Sequence, residues 1–553
     1  MWSALQLVLS IVASIFLYHL FKVIRWIFFH PLSYTAKPAL RGPPSPSWLL
    51  GHLKLTWFNV YRPGETSIFD KWRELYGNTF SVKGPFGKQG IVTMDTKTIQ
   101  HILKNDHIYV KPPSTQGILR MMLGEAPSVL LSEGAQHRAQ RKVMNPAFGP
   151  NHIRELTRTF FEKATELRDI WANHVQPSGI GKVDAADWLS KATMDVIGLT
   201  GFNYSFNALN DRGQVNELNQ TLGAMIRTTF KPSTVWMLVL TALPIRPLLR
   251  ALSWASGTTA AMQNAAERMQ RIGREILAES KAYLAATGEK DGSVGARDLI
   301  SLLLKSNMST EIPPEERMSD VDVIAQIPTF VIAGFETTSV STTWALFELA
   351  QNPQIQSKLR EELLSVHTST PRMEQLNELP HLDAFVRETL RLHAPLTATY
   401  RAATQDDLLP LTQPIIDGEG KIHNELLIRK GQNISLSLFE VNTDKSLWGP
   451  DAYEFKPDRW LSIPDSVNTI PGVWSNLMTF LGGPRGCIGW RFALIEMKAL
   501  LFTLVRSFEL QLDVPKEELV VVSAASMQRP SLRSEPNRAR LPLLIRPLQM
   551  SEH

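Results

Sequence analysis

The stretch from Phe480 to Gly489, which reads FLGGPRGCIG, holds the only cysteine in a chain of 553 residues. Because Cys487 has no second cysteine to join, it forms no internal disulfide, and no Cys-x-x-Cys pair offers a zinc or iron–sulfur site. The glycines and the proline before Cys487 disfavour a helix there and permit close approach of the backbone to a bulky, flat ligand. The fold must therefore accommodate a non-helical loop around a single thiol.

A helical pattern resumes directly after this loop, at Trp490 in WRFALIEMKALLFTLV. Cys487 therefore lies just before a helix N-terminus, where backbone N–H groups and the helix dipole favour a thiolate. Arg485 adds a cation that can pair with an anionic group of a ligand. A thiolate held in this way serves as a nucleophile, a redox sensor or a metal ligand, while a lone cysteine in an arbitrary chain is most often an inert core thiol.

The remainder of the chain carries mainly helical patterns, and 44% of its residues are hydrophobic, enough for a sizeable core. The strand-like stretches TFSVKGPFGKQGIVTM and LIRKGQNISLSLF are short and punctuated by glycine. No repeat or second linker interrupts the chain, so we predict one large domain over 51–553, mainly α with small β-sheets. Apolar residues recur at helical spacing in the segments 134–144, 151–174, 258–287, 320–350, 353–366, 380–393 and 489–507.

The N-terminal run ALQLVLSIVASIFLYHLF has 18 residues without a charged side chain, close to the ~20 that span a bilayer as a helix. A signal peptide is the alternative, but the bases Lys22 and Arg25 follow the apolar run instead of preceding it. We therefore predict a membrane anchor over 1–22 and a basic, aromatic and proline-rich linker over 23–50. These bases favour a lumenal N-terminus and a cytosolic domain at the endoplasmic reticulum membrane. The N-glycosylation patterns at residues 203, 219, 307 and 433 are then unused.

The ten residues FLGGPRGCIG resemble the haem-binding loop Phe-x-x-Gly-x-Arg-x-Cys-x-Gly of the cytochrome P-450 family at every specified position. The resemblance implies a cytochrome P-450 fold with a single large haem domain, haem b as cofactor, and Cys487 as the proximal thiolate ligand of the iron. It also implies that Phe480 packs beside the loop and that Arg485 pairs with a haem propionate. Backbone amides near Gly489 are expected to donate to the sulfur.

The motif ETLR places Glu388 and Arg391 one helical turn apart, where opposite charges can pair. In FKPDRW, Arg459 stands where the family's Pro-x-Arg motif supplies a third charge. The resemblance implies that these three residues form a structural network near the cysteine loop.

The stretch AGFETT, from Ala333 to Thr338, puts two threonines and a glycine inside a predicted helix, where all three are unfavourable. A threonine hydroxyl can bond back to a carbonyl one turn earlier, and small Ala333 and Gly334 leave room for a diatomic ligand. The stretch resembles the family's oxygen-activation motif. The resemblance implies that Thr337 hydrogen-bonds oxygen at the haem and that Glu336 relays protons to it.

Three further residues resemble the family's contacts to the haem propionates. In EGAQHRAQRKVMNPAF, His137 stands where many members have tryptophan, with Arg141 four residues later on the same helix face. Arg401, in PLTATYRAAT, matches the family's strand arginine at the other propionate. The segments 113–130, 324–334, 395–400 and 523–530 are expected to line the substrate pocket. The apolar run 235–245 predicts either a buried core helix or a surface that dips into the membrane.

The sequence lacks a Gly-x-Gly-x-x-Gly after a strand and a phosphate-binding Gly-Lys-Ser/Thr loop, so electrons for oxygen chemistry must come from another protein. The resemblance implies NADPH–cytochrome P-450 reductase as the donor, with cytochrome b5 as a second candidate. The net charge of +5 suits an acidic partner but falls short of a nucleic-acid signature.

We predict a haem-thiolate monooxygenase that oxidises a lipophilic small molecule. GPPSPSWLLGHL and HRAQRKVMNPAF resemble filamentous-fungal members, many of which act on terpenoids or other secondary metabolites. The alternatives are an enzyme of the same fold that isomerises substrates or rearranges peroxides, and a non-catalytic haem sensor.

Overall fold

The computed structural model of the protein describes residues 2–29, 40–210, 257–287, 298–308, 313, 317–524 and 526–548. Within these ranges the chain is mainly helical with small β-sheets, which confirms the predicted fold class. The apolar run 235–245 lies outside the described residues.

Every helix predicted from apolar periodicity is confirmed, with both ends within two residues of the expected positions. The agreement follows from the length of these segments, since a long amphipathic pattern leaves little freedom in register. In chain order the described helices are α1 (Trp2–Phe29), α2 (Leu53–Trp57), α3 (Ile68–Tyr76), α4 (Thr96–Lys104), α5 (Pro113–Leu123), α6 (Gly134–Met144), α7 (Pro150–Asn173), α8 (Ala185–Phe202), α9 (Gly257–Thr287), α10 (Leu299–Met308), α11 (Asp320–Gln351), α12 (Pro353–Leu364), α13 (Met373–Asn377), α14 (Pro380–Leu392), α15 (Phe439–Asn442), α16 (Lys445–Trp448) and α17 (Trp490–Ser507).

The described strands form four small sheets, and their neighbours are antiparallel except for one parallel pair, β3 with β9. The largest sheet has the order β2 (Thr79–Lys83), β3 (Gln89–Thr93), β9 (Asn433–Ser437), β6 (Ala398–Ala403), β4 (Tyr109–Val110). A four-stranded sheet has the order β1 (Phe58–Tyr61), β11 (Leu519–Ala524), β12 (Met527–Leu532), β13 (Glu535–Ala539). A three-stranded sheet has the order β10 (Phe508–Leu512), β14 (Pro542–Pro547), β5 (Gly181–Asp184). The fourth sheet is the hairpin of β7 (Asp407–Ile416) and β8 (Ile422–Ile428).

The long helix α11 runs through the main hydrophobic core. It starts at a capping box, in which the Ser319 side chain accepts from the Asp322 amide and the Asp322 side chain accepts from the Ser319 amide. It ends where Asn352 and Pro353 stop the pattern and begin α12. Helices α8 and α17 pack against α11, and α7 packs against α17, so the residues just before α17 lie beside the core.

The N-terminal apolar run lies in α1, which extends to Phe29 and so includes the first part of the predicted linker. Described side chains such as Leu7, Ile11 and Phe16 are exposed along it. Among the described residues, one helix is long and apolar enough to cross a membrane by length and composition: α11, whose most apolar window is 72% buried inside the protein. That burial is typical of a core helix.

Candidate active site

The loop around Cys487 is a tight, non-helical turn between the 3-10 turn Gly483–Arg485 and α17. The Cys487 amide donates to the Phe480 carbonyl at 2.9 Å, which closes the loop on itself. The cysteine side chain is exposed, although enough protein surrounds its thiol to desolvate it. Burial raises the pKa of the thiol, while a hydrogen bond from the Gly489 amide and the charge of Arg141 lower it. The helix terminus therefore only partly offsets the cost of burying a thiolate.

Two of the glycines before Cys487 are required by contacts within the protein. A Cβ on Gly482 would lie 1.8 Å from the Pro471 carbonyl oxygen. Gly483 has a φ of +66°, and a Cβ there would lie 2.9 Å from the Leu103 carbonyl oxygen. Packing within the protein thus requires Gly482 and Gly483, and the approach of their backbone to a ligand stays a prediction.

Arg485 and Lys111 share one carboxylate, that of Glu133. Arg485 pairs with Glu133 through Nη2 and donates to the Ser132 carbonyl through Nη1 at 2.7 Å. The Nζ of Lys111 lies 3.2 Å from Glu133 Oε1. Burial, and then the nearby Arg485, lower the pKa of Lys111 to about 8, although Glu133 opposes the shift. Lys111 escaped the sequence analysis, because a lysine before two prolines carries no pattern that separates it from a surface lysine.

Arg141 and Arg401 complete this cationic cluster, and His137 lies among these cations as a neutral imidazole. His137 is 3% exposed and its Nδ1 has no hydrogen-bond partner. Burial, followed by the charges of Arg485 and Lys111, lowers the pKa of His137 to about 3. Arg141 donates to the Gly486 carbonyl at 2.9 Å and so touches the cysteine loop.

Arg401 is also buried, and its Nη1 donates to Thr399 Oγ1 at 3.0 Å and to the Tyr400 carbonyl at 2.8 Å. Burial lowers the pKa of Arg401 to about 10. Several buried cations thus surround few carboxylates, and one buried imidazole nitrogen lacks a partner. This donor set fits a ligand with two carboxylates.

On the core helix α11, one short face is accessible from inside the protein. Ala333 is exposed and Thr337 is half-buried, although the helix around them is largely buried. The Thr337 hydroxyl donates to the Ala333 carbonyl at 2.7 Å, as the sequence suggested. Gly334 lies where α11 packs against α8. A Cβ at this position would lie 2.9 Å from Ile197 of α8, so the glycine permits the two helices to pack closely. The expectation that Ala333 and Gly334 leave room for a diatomic ligand stays a prediction.

Glu336, next to Thr337, is buried against strand β12 and forms an ion pair with Arg529. Burial raises the pKa of Glu336 and Arg529 opposes that rise. The sequence gives no sign that Arg529 meets Glu336, because the two residues are 193 positions apart and no motif connects them.

The structure brings together Glu388, Arg391 and Arg459. Arg391 donates to both carboxylate oxygens of Glu388, through Nε at 2.9 Å and Nη2 at 2.8 Å, and Arg459 Nε lies 3.3 Å from Glu388 Oε1. Arg391 also donates to the Ala452 carbonyl at 2.6 Å, and Trp460 Nε1 donates to Glu388 at 3.0 Å. The network joins α14 to the segment that leads to the cysteine loop.

The four segments expected to line a substrate pocket meet in pairs. The Val129 amide of segment 113–130 donates to Gln326 of segment 324–334 at 2.8 Å. The Thr397 amide donates to the Ser526 carbonyl at 2.8 Å, which ties 395–400 to 523–530.

Comparison with known proteins agrees with this arrangement. The family model described as cytochrome P-450 matches residues 41–532. Cytochrome P-450 monooxygenase 205 of Postia placenta is 46% identical over 511 residues, which cover 92% of each chain. Cytochrome P-450 monooxygenase 128 of the same fungus is 44% identical, over 93% of this chain and 94% of that protein.

A relative from another fungus, cytochrome P-450 monooxygenase claO of Ampulloclitocybe clavipes, is 33% identical over 92% of this chain and 93% of that protein. Members of this family carry a haem-thiolate cofactor, receive electrons from a redox partner and oxidise lipophilic substrates. The accessible thiol, the buried cations and the unpartnered imidazole nitrogen fit such a cofactor. The match over most of the chain and the identity to its relatives show that this chain belongs to the cytochrome P-450 family, as a monooxygenase of fungal type.

Proposed function

We propose that this protein is a membrane-anchored monooxygenase that holds haem b through Cys487 and hydroxylates or otherwise oxidises a lipophilic metabolite of fungal secondary metabolism, such as a terpenoid. The observation that carries the proposal is the accessible Cys487 thiol, which lies inside the protein beside a cluster of buried cations. A thiolate-ligated haem supplies the activation of dioxygen. The substrate class rests on the resemblance to fungal members.

The residues of the chain have separate roles in this proposal. Arg485, His137, Arg141 and Arg401 bind the propionates, and Phe480 and Gly489 shape the loop and the hydrogen bond to the sulfur. Release of Glu133 from Arg485 would give a propionate access to that guanidinium. Thr337 would offer a hydroxyl to oxygen bound at the haem, and Glu336 would supply protons. The network centred on Glu388 holds the surrounding backbone in place.

The partners proposed are NADPH–cytochrome P-450 reductase and cytochrome b5. The excess of 58 basic over 53 acidic residues favours an acidic docking surface on the donor. We propose that residues 1–22 anchor the protein in the endoplasmic reticulum membrane, with a lumenal N-terminus, and that 23–50 links this anchor to a cytosolic haem domain over 51–553. The exposed apolar side chains of α1 support an anchor.

The test is the absorption spectrum of the reduced, carbon-monoxide-treated full chain in microsomes that also contain the reductase. We expect the thiolate-haem band in the unaltered protein and its loss in Cys487→Ala. A matched control is Ser132→Ala, which keeps the main-chain carbonyl used by Arg485 and removes a nearby small polar group. If Cys487→Ala keeps the band, the assignment of Cys487 is wrong.

Activity is then tested with a panel of terpenoids under isotope-labelled dioxygen. A monooxygenase transfers one labelled oxygen atom to the product and consumes NADPH. Product formed without dioxygen and NADPH would instead identify an isomerase or peroxide-rearranging enzyme. Haem binding without turnover of any lipophilic compound would favour a sensor.

A further inference from the structure

Glu336 and Arg529 form a buried pair that joins the core helix α11 to strand β12. Glu336 is 7% exposed and Arg529 is 6% exposed. The Nη2 of Arg529 donates to Glu336 Oε1, and it also lies 3.1 Å from the sulfur of Met527. Since an isolated buried charge is costly, the contact with Arg529 favours the ionised form of Glu336.

The pair turns the Glu336 carboxylate away from Thr337. Successive residues of an α-helix are about 100° apart around its axis, so neighbours face different directions. Thr337 is half-buried at the accessible face of α11, whereas Glu336 is buried on the side that packs against β12. The carboxylate is therefore adjacent to the accessible face without being part of it.

The arginine itself is fixed by the sheet that carries it. Arg529 pairs with Val522 of β11 in the antiparallel register. Its neighbour Gln528 donates through Nε2 to the Ala394 carbonyl at 2.6 Å and through its amide to the Pro395 carbonyl at 3.0 Å. Arg529 thus belongs to a strand that is hydrogen-bonded to a second segment, and both segments are expected to line the substrate pocket.

Arg529 is the charged group that acts most strongly on the pKa of Glu336. Burial raises the pKa of Glu336 and lowers that of Arg529, and each charge opposes the shift of the other. From α8, the uncharged Thr193 donates its hydroxyl to the Phe335 carbonyl at 2.9 Å. From α17, the buried Glu496 lies beside Thr338, and neither of its oxygens has a hydrogen bond of good geometry. Burial raises the pKa of Glu496, which favours its neutral form.

We propose that Arg529 is a positioning residue for Glu336, which holds the carboxylate ionised and directed toward β12 and so sets the pH range over which Glu336 supplies protons. The inference rests on the proton-relay role given to Glu336 under the proposed function. Because Arg529 belongs to the framework of the expected substrate pocket, the same contact links the protonation of Glu336 to the position of strand β12.

The test measures the protonation of Glu336 directly, by infrared difference spectra of the haem-loaded full chain between pairs of pH values. The carbonyl band of the protonated carboxyl is assigned by its loss in Glu336→Gln. In Arg529→Met we expect the midpoint of this band to rise by about 1–3 pH units, since a contacting cation shifts a carboxyl by that amount. Arg529→Lys keeps the charge, so its midpoint should remain within about half a unit of the unaltered protein.

A matched control is Arg533→Gln, which removes the same charge from an exposed arginine just past the end of β12. It should leave the midpoint unchanged. Arg529→Gln replaces Arg529→Met if the latter does not bind haem. The pH profile of NADPH-coupled product formation is expected to move in the same direction as the midpoint in each variant, and a uniform fall in activity without a shift of the profile would count against the inference.

An unchanged midpoint in Arg529→Met, or in Arg529→Gln where that variant replaces it, overturns the inference, as does a pH profile that stays in place while the midpoint moves. Failure of the proposed function has a different signature. In that case the unaltered protein forms no oxygenated product, yet the infrared midpoint still responds to Arg529.

Discussion

The hydroxyl of Thr337 donates to the main-chain carbonyl of Ala333 at 2.7 Å, one turn earlier on α11. A hydroxyl rotates about its C–O bond, so this group can also direct its hydrogen toward the accessible face of α11. We expect Thr337→Ala to bind haem normally but to release more peroxide, with about tenfold or greater loss of product per NADPH, because a positioned proton donor contributes at least that factor. Peroxide and product are measured against NADPH consumed.

Two variants separate this effect from damage to the helix. Thr337→Ser keeps the hydroxyl and should recover most of the coupling. Thr342→Ala removes another helical hydroxyl, which donates to the Thr338 carbonyl at 2.9 Å in a fully buried position, and it should leave coupling unchanged. Equal coupling in Thr337→Ala and in the unaltered protein would contradict the role proposed for Thr337.

Sequence patterns predicted the parts of the fold that depend on neighbouring residues. The helices Gly134–Met144 and Trp490–Ser507 were expected within a residue of their observed ends, because apolar periodicity and flanking glycines act locally. The motif ETLR likewise placed Glu388 and Arg391 on one face of a helix, where they pair. Such features need only the geometry of one element.

The remaining features depend on contacts between distant parts of the chain. Gly334 is required because Ile197 of another helix approaches it closely. Glu336 pairs with Arg529, which lies on a strand near the C-terminus. Lys111 joins the cationic cluster only because β4 ends beside Glu133. Helical and strand periodicity carry no information on which elements meet, so these contacts required the structure.

His137 is expected to stabilise haem binding as a neutral hydrogen-bond donor. Burial and the charges of Arg485 and Lys111 lower the pKa of His137 to about 3, so the imidazole that meets the haem is uncharged near neutral pH. His137→Phe removes one hydrogen bond to a charged group, worth about 1.5–3 kcal/mol, and should speed haem loss about ten- to hundredfold. The measurement is the rate of haem transfer to an excess of an acceptor protein.

His137→Trp keeps an N–H donor at this position and should lose haem nearly as slowly as the unaltered protein. The control is His152→Phe, which alters another buried histidine whose Nε2 has no hydrogen-bond partner but which lies on α7. If His137→Phe and His152→Phe lose haem at the same rate, His137 does not contact the cofactor.

Removal of the carboxylate at the centre of the Glu388 network should destabilise the fold strongly. Glu388→Gln leaves the buried Arg391 without its counter-charge, which costs about 3–5 kcal/mol when one partner of a buried pair is lost, whereas Arg459 keeps its pair with Asp451. We expect a lower denaturation midpoint and poor haem incorporation. Lys358→Gln, which breaks an exposed pair with Asp458, should cost less than about 1 kcal/mol. Similar costs for the two variants would show that the network is not structural.

Glu440 should make the protein less stable as the pH rises. Its carboxyl is buried, accepts from Ser67 Oγ at 2.8 Å and also from Ser437, and burial with the nearby Asp70 raises its pKa from 4.5 to about 7. The folded state thus holds the proton more tightly than the unfolded state. The contribution of Glu440 to the free energy of unfolding is fully present below about pH 4.5 and is lost as the pH rises through about 7. This contribution amounts to about 3 kcal/mol.

Glu440→Gln stays neutral at every pH, so the free energy of unfolding should fall less steeply between about pH 5 and pH 8 than in the unaltered protein. The measurement is denaturant unfolding of the full chain in detergent across that range. Glu419→Gln changes an exposed glutamate and should reproduce the slope of the unaltered protein. Because Glu440→Gln removes one titrating group and keeps its volume, an identical slope in this variant would mean that Glu440 titrates near its ordinary pKa despite its burial.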